Sequence, residues 1–468
     1  MKSKFYCALI LVSVSAAFWG CALGPDYHRP VVQSPERFRF EAGAATNSLA
    51  DLPWWEIFKD PVLQGLIRTA LTNNNDLKRA VARVEEARNQ SAAANSAFLP
   101  QVGYGGDVGY GRNARYNAPA GVGGTVVGSA QMALSAAWEV DVWGRVRRSS
   151  QSAQARYLAT EEARRGVMLT LVSEVAGTYF QLLELDQEVS IERAATNAYS
   201  GSYRIFNERL DHGVASKLET DRAAAALANA AALIPQLEIQ RARAESRLSL
   251  LLGRLPGPIA RRPLSAEPQM APEIPAGLPS ELLRRRPDVR GAEQLLIAAN
   301  AGVGVSVANF FPQIGLTTFL GRASPELSAF TGGAGNLWDL GGTLSGPVFQ
   351  GGRLRAEHRA AQARFDQAAA EYQQSVLTAF QEVSDALVTR RQLADEYGYV
   401  TQAVAALESS VDLAQQRYLN GKSSYYEVLQ AQQELYPTRR ALVQVLVAQW
   451  LSTVQLYKAL GGGWQAAP

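Results

Sequence analysis

Two glutamates, Glu219 and Glu427, lie 208 positions apart, each six residues after a glycine, Gly213 and Gly421. Carboxylates repeated at equivalent places in an assembly form a ring that attracts cations and resists anions. The same two side chains also suit a plainer role, as solvated acids at a helix start favoured by the helix dipole. Nothing else in the chain points to catalysis. The three histidines, His28, His212 and His358, are scattered and lack metal-ligand spacing. The Gly-rich stretches 121–124 and 332–335 do not lead from a strand into a helix, as phosphate-binding loops do. Arg284, Arg285 and Arg286 form a short basic run before Pro287 and read as a solvated helix face. No catalytic residue, metal or cofactor is expected.

The spacing of the two acids belongs to a longer pattern. Phe98, Pro100, Gln101 and Gly103 recur as Phe310, Pro312, Gln313 and Gly315, 212 positions later. From Gly144-Arg145, which returns as Gly352-Arg353, the offset is 208. It holds through Arg209/Arg417 to Leu252-Gly253/Leu460-Gly461. Such a period is too long for a solenoid unit and implies two copies of one large module.

Each copy has the same layout. An opening helix is predicted over 62–97, with Leu63, Leu66, Ala70, Leu77, Val81 and Val84 at helical spacing. A β-hairpin follows in 98–143 and again in 310–351, with strands predicted from Gln101, over 127–142, over 313–320 and over 337–349. Then comes a helix without proline over 145–211, matched by 353–419; about 66 residues at ~1.5 Å each reach ~100 Å. Tyr397, Val400, Val404, Leu407, Val411, Ala414 and Tyr418 step by three and four, the spacing of coiled-coil packing. Gly213 and Gly421 end these helices, and return helices start at Ser216 and Ser424, with Pro235 and Pro437 predicted to kink them. The repeats therefore span 62–254 and 277–461, joined by a Pro-rich linker at 255–276 and followed by a tail at 462–468.

Four strands alone leave exposed edges. Their alternating, Gly-interrupted texture is that of a transmembrane β-barrel, whose closure needs several chains. A soluble β-layer packed on helices is the alternative. Residues 1–20, with Lys2 and Lys4 ahead of an apolar run, have the layout of a secretory signal peptide. Cys21 follows directly, and with Cys7 inside the leader no internal disulfide remains. Cys21 after Gly20 resembles a bacterial lipoprotein acylation site, and Ala22 is compatible with sorting to the outer membrane. Residues 21–61, rich in Pro and polar side chains, read as an extended arm. No later segment is an uninterrupted apolar run of about 18 residues, so no later membrane helix is expected. A net charge of +3 makes no case for nucleic acid.

Several motifs converge on one family. Gly24-Pro25-Asp26-Tyr27-His28-Arg29-Pro30, Trp54-Trp55-Glu56-Ile57-Phe58-Lys59-Asp60-Pro61-Val62-Leu63, Arg285-Arg286-Pro287-Asp288-Val289 and Ala308-Asn309-Phe310-Phe311-Pro312-Gln313 resemble the TolC-like outer membrane factors, in the lipoprotein (NodT/OprM-like) branch paired with RND-type efflux pumps. The likeness extends from Cys21 to Gly461. It implies an α+β membrane protein with internal duplication: a homotrimer with a long α-helical coiled-coil tunnel and four strands per chain completing a twelve-stranded transmembrane β-barrel. It further implies a passive small-molecule exit duct in the outer membrane, lipid-anchored at Cys21. A periplasmic adaptor and an inner-membrane RND-type transporter would be its partners.

In that family acids at the positions of Glu219 and Glu427 belong to a periplasmic gate. Asp221 is a candidate supplement, and Gln430 stands where the family can carry a further acid. Tyr418 is either a latch between neighbouring hairpins or a buried coiled-coil tyrosine. Gly213, Ser216, Gly421 and Ser424 are expected to present the turns that an adaptor meets. A type I protein secretion duct and a periplasmic coiled-coil spacer without a pore are the other classes.

Overall fold

The computed structural model describes residues 22–32, 34–40, 48–112, 126–264, 277, 279–324, 330 and 335–462. Cys21 with the leader 1–20, the Gly-rich positions 121–124 and 332–334, the linker from 265 to 276 and the tail from 463 lie outside the described residues. The chain forms two compact units, one of Met1–Val31, Arg83–Glu161 and Gly291–Tyr372, the other of Val32–Ala82, Glu162–Arg290 and Gln373–Pro468. Its helices are α1 (Trp54–Ile57), α2 (Pro61–Asn73), α3 (Asn75–Asn95), α4 (Arg145–Asp211), α5 (Lys217–Leu251), α6 (Pro279–Arg285), α7 (Pro287–Ala308), α8 (Arg353–Leu419) and α9 (Tyr425–Ala459).

The first unit holds one antiparallel sheet in the order β1 (Gln101–Arg112), β2 (Val126–Val140), β3 (Gln313–Ser324), β4 (Asn336–Ser345). β2 and β4 stop short of the expected 142 and 349. Asp141 instead caps α4, accepting the Val146 and Arg147 amides at 2.9 Å each. Pro347, just beyond β4, has no amide to extend the ladder. Side chains alternate across a sheet, and here the alternation is chemical. Even-numbered positions carry Val102, Tyr104, Tyr110, Leu134, Leu320 and Trp338, all exposed. Odd-numbered positions carry Gly103, Gly105, Ser135, Thr317, Gly321 and Gly341. One face is mainly apolar with an aromatic fringe, broken by Thr318 and, toward one end, by Arg322, Ser324 and Asn336; the other is mainly small and polar, with Phe319 and Leu337 as its bulky exceptions.

The register accounts for the two repeat offsets. Gln101 pairs with Ala137, and Gln313 with Ser345. β1 thus maps onto β3 at 212 positions while β2 maps onto β4 at 208. The four-residue change falls in the loop between the strands of each hairpin, where length does not disturb pairing.

The same unit fastens the N-terminal arm. The Leu23 amide donates to the Trp143 carbonyl at 3.0 Å. Buried Arg148 donates to Asp26 at 2.9 Å, Arg29 pairs with Glu293 at 3.0 Å, and Asn300 donates to the Pro25 carbonyl at 3.0 Å. Gly24, at φ +95°, lies so close to Gly304 that a Cβ there would stand 2.4 Å from the Gly304 Cα, so a side chain would unseat the arm.

The second unit carries the larger core. Residues 49–58, expected in an extended arm, are packed into it: Trp54, Ile57 and Phe58 are buried, because three large apolar side chains within five residues gain more by burial than an extended chain could. Asp60 caps α2 through the Val62 amide at 2.8 Å and accepts the Tyr179 hydroxyl at 2.6 Å. The opening helix is not continuous. It breaks at Asn74, between α2 and α3, and its counterpart breaks at Arg286, between α6 and α7. Asn74 donates to the Leu251 carbonyl at 3.0 Å, and Arg286 to the Ala459 carbonyl at 2.8 Å, so the repeat sets two different side chains to one task. Arg286 is therefore no solvated residue: it is 6 % exposed and also pairs with Asp288 at 2.6 Å and Glu382 at 2.7 Å.

α5 and α9 run unbroken through Pro235 and Pro437. Along the predicted stripe of α8, Val404 and Ala414 are buried and Tyr397, Val400, Leu407, Val411 and Tyr418 half-buried, among exposed neighbours. α4 holds one stretch long and apolar enough to cross a membrane by length and composition, a stretch the sequence reading did not single out; 61 % of it is buried, as in a core helix.

Candidate functional site: the two helix turns

Both turns belong to the second unit and are built alike. Gly213 has φ +70° and Gly421 φ +68°, and no atom within 4 Å would meet a Cβ on either, so backbone conformation alone selects glycine. The Gly213 amide donates to the Leu210 carbonyl at 2.9 Å and the Val214 amide to Arg209 at 2.8 Å. In the second turn Gly421 donates to Tyr418 at 2.9 Å and Lys422 to Arg417 at 2.8 Å. These paired bonds are the Schellman closure of a helix end.

The return helices then start differently. Ser216 caps α5 in a reciprocal box: the Glu219 amide donates to the Ser216 hydroxyl at 3.3 Å, and the Ser216 amide to the Glu219 carboxylate at 2.9 Å. Those bonds from the Ser216 backbone, then its hydroxyl, hold the Glu219 carboxyl below the usual carboxylate range. Ser424 caps α9 through the Tyr426 amide at 3.2 Å. Glu427 faces Arg417 at 3.5 Å instead. Asp221 pairs with Lys217 at 3.2 Å one turn into α5.

Beneath the turns lies an aromatic core. The Tyr425 ring meets Tyr418 at 4.8 Å and Phe206 at 5.4 Å, both edge-on. Ser202, fully buried, donates to the Tyr425 hydroxyl at 3.2 Å, and Tyr199 to the Gln432 carbonyl at 3.2 Å. The Arg209 guanidinium stands 5.9 Å above the Tyr418 ring. Tyr418 is thus half-buried and engaged by both copies of the repeat.

A groove of about 470 Å³ runs beside the second turn, lined among others by Leu413, Arg417, Glu427, Gln430 and Glu434. Glu427, Gln430 and Glu434 share one helix face. The structure joins Glu219 to Ser216, Glu427 to Arg417 and Tyr418 to Tyr425; it forms no bond between Glu219 and Glu427 among the described residues. Sequence reasoning missed Arg417, Glu434 and the Ser202–Tyr425 contact. The recurrence of Arg209 as Arg417 could have exposed the first, since it puts a cation four residues before each turn glycine and ten before each acid. Among the described residues no group of His, Cys, Asp and Glu is placed to hold a metal ion.

Known proteins share this organisation. The family model for outer membrane efflux protein matches residues 66–254 and 278–462. The cation efflux system protein CusC of Escherichia coli O6:H1 is 32% identical over 462 residues, covering 98% of this chain and 99% of that protein. The solvent efflux pump outer membrane protein SrpC of Pseudomonas putida is 36% identical over 460 residues, covering 96% of each. The structure of the outer-membrane channel OprN superposes with a TM-score of 0.86 at 32% identity, over 95% of this chain and all of that one. The fold, the duplication and these likenesses agree: the chain belongs to the outer membrane efflux protein family.

Proposed function

We propose that the protein is the outer membrane exit duct of a tripartite efflux pump, passing small molecules outward through a homotrimer gated at its helix turns. The observation that carries this reading is the sheet, with one apolar and one polar face and with β1 and β4 as its edges. An apolar face suits lipid, a polar face suits an aqueous bore, and the edges need partners in a membrane.

Internal symmetry specifies those partners. β2 pairs with β3 through Ser135↔Phe319 and Ala137↔Thr317. Carried by the repeat offsets onto the free edges, these become Thr343↔Asp107 and Ser345↔Gly105 of a second copy. The even and odd faces stay matched across the seam. Three copies close twelve strands. Cys21 would carry the lipid anchor, and the turns around Gly213, Ser216, Gly421 and Ser424 would meet a periplasmic adaptor that links the duct to an RND-type transporter.

At the turns, Glu219 and Glu427 would give six carboxylates around one constriction, supplemented by Asp221, with Tyr418 packing the second hairpin. Arg417 then acts against opening the field, because it neutralises Glu427 in place.

Disulfide trapping in outer membranes tests the closure. Cysteines at Thr343 and Asp107 should crosslink between chains, since paired strands bring Cα atoms into disulfide range. Crosslinking of Thr343 to Gly103 instead would reject the register, and purely monomeric protein would reject the duct. Planar-bilayer recordings test the gate: Glu219→Gln with Glu427→Gln should lower cation selectivity, and unchanged selectivity would remove both from it.

A further inference from the structure

The polar face of the sheet has one bulky aromatic residue. Phe319 stands at an odd-numbered position of β3, 38 % exposed, beside Ser135 of β2 and directly opposite Asp339 of β4. Its neighbours on that face are small: Gly321 along the strand, Gly341 diagonally across, and Ala133 and Ala137 on β2. Leu337, paired with Gly321, is exposed on the other diagonal. The Asp339 carboxylate lies along the same face, its Oδ1 3.5 Å from where a Cβ on Gly341 would stand. The ring and the isobutyl group therefore rise from a floor almost without side chains, with an anion beside them. Among the described strand positions of the face there are the acids Asp107, Glu139 and Asp339 and no Lys or Arg, and Glu139 is held by Arg145 at the start of α4.

We infer that Phe319, Leu337 and Asp339 form a transient seat in the barrel bore for organic cations with an apolar or aromatic body. The ring offers its π face to a cation and the leucine offers apolar contact. The Asp339 carboxylate supplies the charge, and no Lys or Arg stands on this face of β3 or β4 among the described residues. A bare inorganic cation would gain only the last of these. The inference rests on the duct reading, which makes this face the bore.

The test uses the full-length protein in planar bilayers with tetraphenylphosphonium as the probe. The cation should interrupt the current of the wild-type pore in discrete blocked events. Phe319→Ala should shorten these events roughly two- to fivefold, the scale of a solvent-exposed cation–π contact. Asp339→Asn should weaken block several-fold, and Phe319→Trp should preserve it. Blocked times unchanged in Phe319→Ala overturn the seat. So does equally long block of the wild-type pore by tetramethylammonium, which has the charge without the apolar body. A wild-type protein that forms no pore overturns the duct reading and the seat together; a pore lacking these discriminations overturns the seat alone. Should Phe319→Ala fail to insert, tryptophan emission of Phe319→Trp, taken as the difference from wild type, must respond to the probe. A silent difference spectrum counts against the seat.

Discussion

The two repeats share a backbone plan but differ in what they do with it. α4 and α8 both have 67 residues, and α5 and α9 both have 35. Yet α4 buries Leu169, Val172, Val175, Tyr179, Leu182 and Val189, whereas in α8 a narrow stripe turns inward and most of the remaining surface is open. At the turns, Glu219 is tied into its own helix cap and Glu427 reaches the preceding helix. At the helix breaks, Asn74 is answered by a buried arginine. Duplication fixed the path of the chain; each copy then specialised in its contacts, the first toward its own core and the second toward exposed faces that suit a neighbouring copy.

The largest contrast should appear at the breaks. Arg286→Ala empties a buried site, strands the Ala459 carbonyl and takes the cation from the half-exposed Glu382 and Asp288, and should cost about 2–4 kcal/mol. Asn74→Ala removes two neutral bonds, the one given to the Leu251 carbonyl and the one accepted from the Leu77 amide, and should cost about 1–3 kcal/mol. The temperature at which the assembly dissociates on semi-native gels should fall further for the arginine. Equal losses would mean that the repeats are energetically alike there.

Next comes pH. Burial, then the neighbouring Glu188 charge, pushes the Glu184 carboxyl of α4 up to about 7, while its counterpart in α8 is the exposed Gln392. A raised carboxyl favours the fold most below its ordinary value, near 4.5, and that contribution is lost as pH rises through about 7. Glu184→Gln, which copies the second repeat, should therefore raise the dissociation temperature at pH 8 and leave it little changed at pH 4. Thermal profiles across that range check the sign.

At the turns the expected effects are smaller. Ser216→Ala dissolves a two-way cap and should cost about 1–2 kcal/mol; Ser424→Ala, which removes a single bond, should cost less. Because the folded Glu219 carboxyl is lowered, its stabilising bonds persist above the usual carboxylate range and fade as pH falls through the lowered value. Arg417→Gln should raise cation selectivity and Glu427→Gln lower it, opposite signs from one ion pair, read as reversal potentials in a salt gradient. The smallest contrast should be no contrast: Gly213→Ala and Gly421→Ala should each cost about 1 kcal/mol, since both glycines have the same φ and open space around them.

Much of this was legible because it is periodic. Strand alternation marks the two sheet faces, the 3–4 step of Tyr397 to Tyr418 marks the inward stripe, and the change of repeat offset marks a hairpin loop. What escaped depends on contacts made far along the chain. Arg286 looks solvated beside Arg284 and Arg285 until the Ala459 carbonyl, 173 positions away, is placed against it. Trp54 and Ile57 sit among prolines and polar residues, and only the helices that cover them reveal a core. At the candidate gate the glycines and acids were visible by their spacing, whereas the choice of Arg417 as a partner for Glu427 required the turn itself.

The sheet register has one more implication under the proposed closure. A line of hydrogen-bonded partners runs from Gln101 to Ala137, Thr317 and Gly341, and would pass to Gly109 of the next copy. It re-enters an equivalent strand eight positions further along than it started. Strands staggered in this way must lean steeply, and leaning strands occupy more circumference than upright ones. The diameter of the passage is then set by how the chains are threaded together rather than by what lines them, so residues on the inner face could change freely to suit new cargo without narrowing the pipe.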